Sequence, residues 1–154
     1  NPVLVLGPSM SGILSMSNRL TIKKIFSLPV VPDVSISVVG VQDVAEAHVM
    51  AMENENANGK RFLLSEKTIK LKDLSNILKS AGFKNVPTLV IPNFLLKFIA
   101  LFTPSLKMIA KRLGKEEKLH TTNANNVLGW FPNRVELEII NSAKQLYETG
   151  LLKK

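Results

Sequence analysis

The chain has 154 residues, enough for one domain of ordinary size, and its 45% apolar and 21% charged residues make a globular balance that argues against disorder. It has no cysteine, which excludes disulfides and thiolate metal sites and is compatible with a reducing, cytoplasmic compartment. The net charge of +8 raises nucleic acid as a partner, but the lysines are scattered, Lys23–Lys24 and Lys153–Lys154 being the longest runs, and no basic and aromatic alternation exists to stack bases.

Residues 3–6 are apolar on both faces and are stopped by Gly7-Pro8. Such a strand belongs in a parallel sheet covered on both sides. Few later stretches read as strands, so its neighbours are expected from sequence preceding Asn1, in keeping with a start other than Met. After a loop of Ser and Met, Ser17 or Asn18 is placed to cap a helix running to about Ser27, with Leu20, Ile25 and Phe26 inward. Pro29 and Pro32 end it. Residues 35–41 alternate small polar and β-branched side chains, as an exposed strand does. Asp43 reads as a helix cap with Glu46 in the capping-box relation, ahead of an inner face of Val44, Ala47, His48, Ala51 and Met52.

Asn58-Gly59 marks a turn before a strand at 60–65 with Phe62 and Leu64 on one side. Residues 71–81 form an amphipathic helix with Leu71, Leu74, Ile77 and Leu78 inward, closed at Gly82. Residues 86–91 are a short strand or extended stretch. The helical pattern from 93 to 113 is split by Pro104, because proline removes a backbone donor and clashes with the preceding turn. Thr121 or Thr122 starts a short helix ending at Leu128-Gly129, and Trp130-Phe131-Pro132 forms a loop. Residues 134–149 close the chain as a helix with Leu137, Ile140, Ala143, Leu146 and Tyr147 on its apolar side. The longest apolar stretch, 94–102, carries Lys97 and falls far short of the roughly 20 residues of a membrane span, and no signal peptide is visible.

Most constellations fail on chemistry. Gly7-x-x-x-x-Gly12 is followed by Ile13-Leu14 where a phosphate loop needs Lys and then Ser or Thr. No Gly-x-Gly-x-x-Gly occurs, so no glycine turn brings backbone amides to a pyrophosphate. His48 reads as a hydrogen-bonded core residue and His120 as solvated, with no carboxylate at metal-ligand spacing. The single tyrosine, Tyr147, has Leu151 four positions on, where a Tyr-x-x-x-Lys pair needs an ammonium beside the phenol. Asp43 could act as an acid, but the cap explains it without chemistry. The chain itself therefore holds no catalytic residue and no metal site.

Three stretches together resemble the extended short-chain dehydrogenase/reductase family (NAD-dependent epimerase/dehydratases), in its dihydroflavonol-reductase-like branch. They are Asn1-Pro2-x-x-Val5-x-Gly7-Pro8; Val41-Gln42-Asp43-Val44-Ala45-Glu46-Ala47-His48, continuing through Ala57-Asn58-Gly59-Lys60-Arg61-Phe62; and Leu128-Gly129-Trp130-x-Pro132 with the closing Leu146-Tyr147-Glu148-x-Gly150-Leu151. Gly40 departs from the family, which has an acidic or polar residue there, and implies a looser loop contact.

The resemblance implies an α/β fold: the C-terminal part of a Rossmann-type, NAD(P)-binding fold, with residues 1–154 supplying the last strands and the smaller, mostly helical substrate-binding lobe. The glycine-rich loop and the catalytic Ser, Tyr and Lys would then precede Asn1. It implies NADP or NAD as cofactor and a small carbonyl compound as substrate, with neither nucleic acid nor membrane as partner and a homodimer open to it. Pro2, Val3 and Val5 match positions that touch the nicotinamide end of the cofactor, against sheet packing as the plain alternative. Ser17, with Ser15 as runner-up, matches a contact to cofactor phosphate or ribose. A non-catalytic dinucleotide sensor of the same fold, and a basic nucleic-acid-binding module, are the alternatives to a reductase.

Overall fold

The computed structural model describes residues 1–13 and 15–152; Leu14, one of the positions that breaks the phosphate-loop pattern, and the Lys153–Lys154 run lie outside the described residues. β1 (Leu4–Leu6) pairs in parallel with β2 (Ser35–Gly40), Leu4 beside Val38 and Leu6 beside Gly40. β2 pairs antiparallel with β3 (Lys67–Lys70), Ile36 beside Ile69, so the sheet order is β1-β2-β3. The later chain thus supplies β1 with one strand neighbour, β2, and leaves β1 at the end of the sheet. β2 was expected to be exposed, yet Val38 and Val39 are fully buried. Alternation of small polar and branched residues marks only its first half; the second half runs between β1 and the start of α3.

The strand expected at 60–65 shrinks to a single parallel bridge between Leu64 and Pro2, held by the Val3 amide on the Leu64 carbonyl (3.0 Å) and the Leu64 amide on the Asn1 carbonyl (3.1 Å). Phe62 and Leu64 are nevertheless both buried in one cluster, as their spacing demands. The stretch before Pro92 is extended and bridges through Val90 to Val31.

Both faces of the sheet are covered, which is what an all-apolar β1 requires. On one face Leu6, Val38 and Ile69 pack with Ile22, Ile25, Leu74, Leu78 and the inner residues of the last helix. On the other, Val39 and the half-buried Val3 and Val5 pack with Ala47, Leu64, Ala124 and Trp130. A third, smaller cluster joins Val34, Leu96 and Leu113.

The helices mostly fall where periodicity puts them. α1 (Met16–Asn18), a π-helical turn (Arg19–Lys23) and α2 (Lys24–Phe26) run on from one another. Their cap is Ser15, whose hydroxyl accepts from the Asn18 amide, not Ser17 or Asn18. The widened turn re-phases the helix, so Ile22 is buried and Leu20, expected inward, is exposed. α3 (Val41–Glu53) begins directly at Gly40, so Asp43 is a first-turn residue and no capping box forms. Met52 and His48, expected inward, point to solvent. α4 (Leu71–Ser80) buries Leu74 and Leu78. α5 (Asn93–Phe102) and α6 (Pro104–Arg112) are divided at Pro104, which takes the first position of α6, where its missing donor is unneeded. A π-helical turn at Ala124–Leu128 precedes α7 (Val135–Glu148). α7 buries Val135, Glu138, Ile139, Ser142, Ala143 and Leu146, while Leu137 is exposed. Periodicity placed Ala143 and Leu146 inward, as they are, but missed the rest of that face because two of its members, Glu138 and Ser142, are polar. No helix of the described residues is long and apolar enough to cross a membrane.

Candidate functional site

In α/β sheets, ligands lie beyond the carboxyl ends of parallel strands. Here those ends are Gly7 and Gly40. A Cβ on Gly7 would overlap the Val41 side chain and stand 3.0 Å from a Glu138 carboxylate oxygen. A Cβ on Gly40 would stand 2.8 Å from Asp43 Oδ2 and 3.1 Å from Glu138 Cγ. Both glycines are thus demanded by close approach. The looser contact expected at Gly40 is overturned: the missing side chain is what lets α3 and α7 close over the strand ends.

Two buried carboxylates meet there. Asp43 is 1% exposed; its Oδ2 accepts from the Arg134 amide (3.3 Å) and its Oδ1 from the Arg134 guanidinium (3.3 Å). The same guanidinium reaches Glu46 at 2.7 Å. Its charged form is favoured first by the Glu46 hydrogen bond, then by the neighbouring carboxylates. Glu138 is 4% exposed, and burial pushes its carboxyl pKa up, aided by Asp43 and opposed by the Gln42 amide and Arg134. Trp130 Nε1 donates to the Asp43 carbonyl (2.8 Å), and the Val135 amide donates to Glu66 (2.8 Å), closing the start of α7. Asp43 is therefore neither the expected cap nor an acid open to a ligand; it anchors α3 to α7.

The loop after β1 is tied from two sides. Asn18 Nδ2 donates to the Gly7 carbonyl (2.7 Å), and Gln145 exchanges hydrogen bonds with the Ser9 backbone, receiving from its amide (2.8 Å) and donating to its carbonyl (2.6 Å). These ties hold α1, β1 and α7 together beneath the loop. Of the expected cofactor contacts, Pro2, Val3 and Val5 lie along β1, and Ser17 lies in α1, which packs against β1. Val3 and Val5 turn their side chains into the second core cluster, and the Val3 amide is committed to Leu64. Pro2 is exposed, and Ser17 is half-buried with its carbonyl accepting from Thr21.

Two clefts adjoin these residues. One of about 360 Å³ has Val3 and Leu4 on its wall with Ile36, Leu63 and Arg112. Another of about 530 Å³ is framed by Arg19, Lys23 and Lys24 beside Phe26 and Asn85, on the helical segment that carries Ser17. Three cations over an apolar floor give the second cleft the charge to hold an anion.

His48 is exposed rather than in the core, its Nδ1 donating to the Val44 carbonyl (2.7 Å) one turn back. His120 is exposed, as expected. Among the described residues no group of three His, Asp or Glu is arranged to hold a metal. Tyr147 stacks at 5.4 Å on Phe83 and edge-on to Phe26 at 6.2 Å, a packing role. Sequence reasoning missed Arg134, Glu138, Asn18 and Gln145. Each is polar within an amphipathic segment, and only the direction in which the neighbouring elements pack separates them from surface residues. For Arg134 a signal did exist, because it follows the Trp130-x-Pro132 loop directly.

No family profile matches the chain. Cinnamoyl-CoA reductase CAD2 of Medicago truncatula is 34% identical over 79 residues, covering 51% of this chain and 24% of that protein. Among solved structures, gox2253 superposes with a TM-score of 0.75 at 19% identity, over 99% of this chain and 49% of that one. Yeast methylglyoxal/isovaleraldehyde reductase Gre2, solved with NADPH, superposes with a TM-score of 0.70 at 23% identity, over 99% of this chain and 43% of that one. The fold is α/β and matches nearly half of each of these two solved chains, and this chain spans less than half the length of the proteins it resembles.

Proposed function

We propose that the chain is a relative of the extended short-chain dehydrogenases/reductases and part of an NAD(P)-dependent oxidoreductase reducing a small ketone or aldehyde, of the dihydroflavonol-reductase-like kind, a reading supported by the likeness to the cinnamoyl-CoA reductase and by the shared fold. Residues 1–154 supply the last strands of the Rossmann sheet and the substrate-binding lobe. The observation that carries this reading is β1: an all-apolar strand, parallel to β2, covered on both faces and ending in a tight Gly7 turn, in a chain that superposes on nearly half of an NADPH-bound reductase.

The residues present fit a cofactor in one respect and not in another. Pro2 and Ser17 are accessible at β1 and α1, and the Arg19, Lys23 and Lys24 cleft offers charge for an anion. Val3 and Val5, by contrast, are engaged in packing. In this reading Pro2 and the backbone of residues 3–5 abut the nicotinamide end, and Ser17 hydrogen-bonds phosphate or ribose. The bound cofactor supplies a hydride to the carbonyl carbon. This chain's own residues position rather than react: α7 and α3 close the strand ends through Asp43 and Arg134. Proton donation falls to a Tyr-x-x-x-Lys pair that the 154 residues lack, since Tyr147 is followed by Leu151.

The chain alone is therefore inactive. Ketone-dependent NADPH oxidation measured on the 154-residue chain should give no turnover, and a longer protein containing it should turn over. Turnover by the chain alone, or a longer protein without a Tyr-x-x-x-Lys pair, would sink the reading. Dinucleotide binding without turnover by the longer protein would favour the sensor alternative.

A further inference from the structure

Apolar surface is most concentrated on α5 and α6. α5 buries Leu96 against Val34 and Leu113, buries Ala100 as well, and leaves Phe94, Phe98, Leu101 and Phe102 in solvent, Phe94 at 75% and Phe102 at 77% exposure. Phe98 and Phe102, one turn apart, stack edge to face at 5.7 Å, and exposed Met108 carries the surface onto α6. A helix apolar on nearly every side is ordinarily covered by something.

Charge says what covers it. From Leu74 to Lys115 the sequence has seven Lys and Arg and not one Asp or Glu. Exposed Lys97 sits among the aromatic residues of α5, and exposed Lys107 and Lys111 follow at helical spacing on α6. A second copy laid on this face would bring like charges together. An anionic surface with an apolar interior satisfies both features, because lysine stems lie along apolar material while their ammonium groups reach its charged boundary. The two helices, of 10 and 9 residues, are too short to span hydrocarbon and suit the plane of an interface.

We propose that the α5–α6 face docks on an anionic lipid bilayer, with Phe94, Phe98, Leu101 and Phe102 entering the acyl boundary and Lys97, Lys107 and Lys111 meeting headgroup phosphates. This stands apart from the reductase reading. It departs from the sequence expectation that no membrane is a partner.

The test is co-sedimentation of the 154-residue chain with vesicles of phosphatidylcholine alone and of phosphatidylcholine with phosphatidylglycerol in equal parts. The expected result is partition onto the anionic vesicles only, weakening as salt rises. Phe98→Ser with Phe102→Ser, and separately Lys107→Glu with Lys111→Glu, should each lower partition at least about tenfold. Their thermal midpoints should hold, since all four side chains are exposed. The proposal fails if no partition occurs, if neutral vesicles bind equally, or if the phenylalanine variant binds as well as the parent. It also fails if sedimentation velocity without lipid shows a dimer that this variant dissolves, for then a second copy covers the face.

Discussion

Glu138 shows how much a single side chain depends on its surroundings. It is acidic and lies in the first turn of α7, a position that suits the helix dipole, yet it faces inward beside Asp43. Burial raises its pKa above the ordinary carboxylate value, so between that value and the raised one the folded chain binds a proton that the unfolded chain has lost. Its contribution is therefore complete in acid and is lost as pH rises through the folded pKa. Glu138→Gln keeps the shape and an acceptor for the Gln42 amide while removing the ionisation. The variant should lose this downward slope of stability above the unperturbed carboxylate range, measured as denaturation midpoints across pH. An unchanged slope would show that Glu138 does not set it. Arg134 shows the reverse dependence: its worth is that Asp43, at 1% exposure, has few other partners.

Elements divide into those whose pattern is self-sufficient and those that need a neighbour. α4 repeats Leu at 71, 74 and 78 and folds as its periodicity predicts, and Pro104 splits α5 from α6 for reasons local to the backbone. The α1 to α2 segment does not follow its pattern, because the π-helical turn at Arg19–Lys23 shifts every later residue around the axis. The same segment separates two serines that the sequence leaves as rivals. Ser15 caps α1 through its hydroxyl, so Ser15→Ala should cost about 1 kcal/mol in chemical denaturation. Ser17→Ala should cost within about 0.5 kcal/mol, and in the longer protein it should weaken NADPH binding measured by titration. A destabilising Ser17→Ala with unaltered cofactor affinity would assign Ser17 to packing instead.

On the scale of the whole molecule, the sheet is finished on one side only. β1 is an end strand, with β2 its one strand neighbour among the described residues. Backbone groups alternate along a strand, and the Val34 and Val38 carbonyls are turned to Leu71 and Glu66 on the β3 side, so Ser37 and Val39 present theirs to β1; the Leu4 amide then faces β2 and the Val5 amide faces away from it. Hydrogen exchange on a proven monomer should protect the amide of Leu4 over that of Val5 by about a hundredfold or more. Equal protection of the two would mean that something covers the outer edge of β1.

The split at Pro104, the two-sided burial of β1 and the lack of a Tyr-x-x-x-Lys pair were all legible in the amino-acid order, because each rests on hydrophobicity, backbone chemistry or spacing within a few residues, and the α/β class was implied by the resemblance those motif stretches carry. Which strand lies beside β1, why Gly40 has no side chain, and why Asp43, Arg134 and Glu138 meet were decided only by the tertiary structure. The contacts of β1 with β2, of Gly40 with Glu138 and of Asp43 with Arg134 join residues more than 30 positions apart, and periodicity assigns every polar side chain to water until a neighbouring element arrives to bury it.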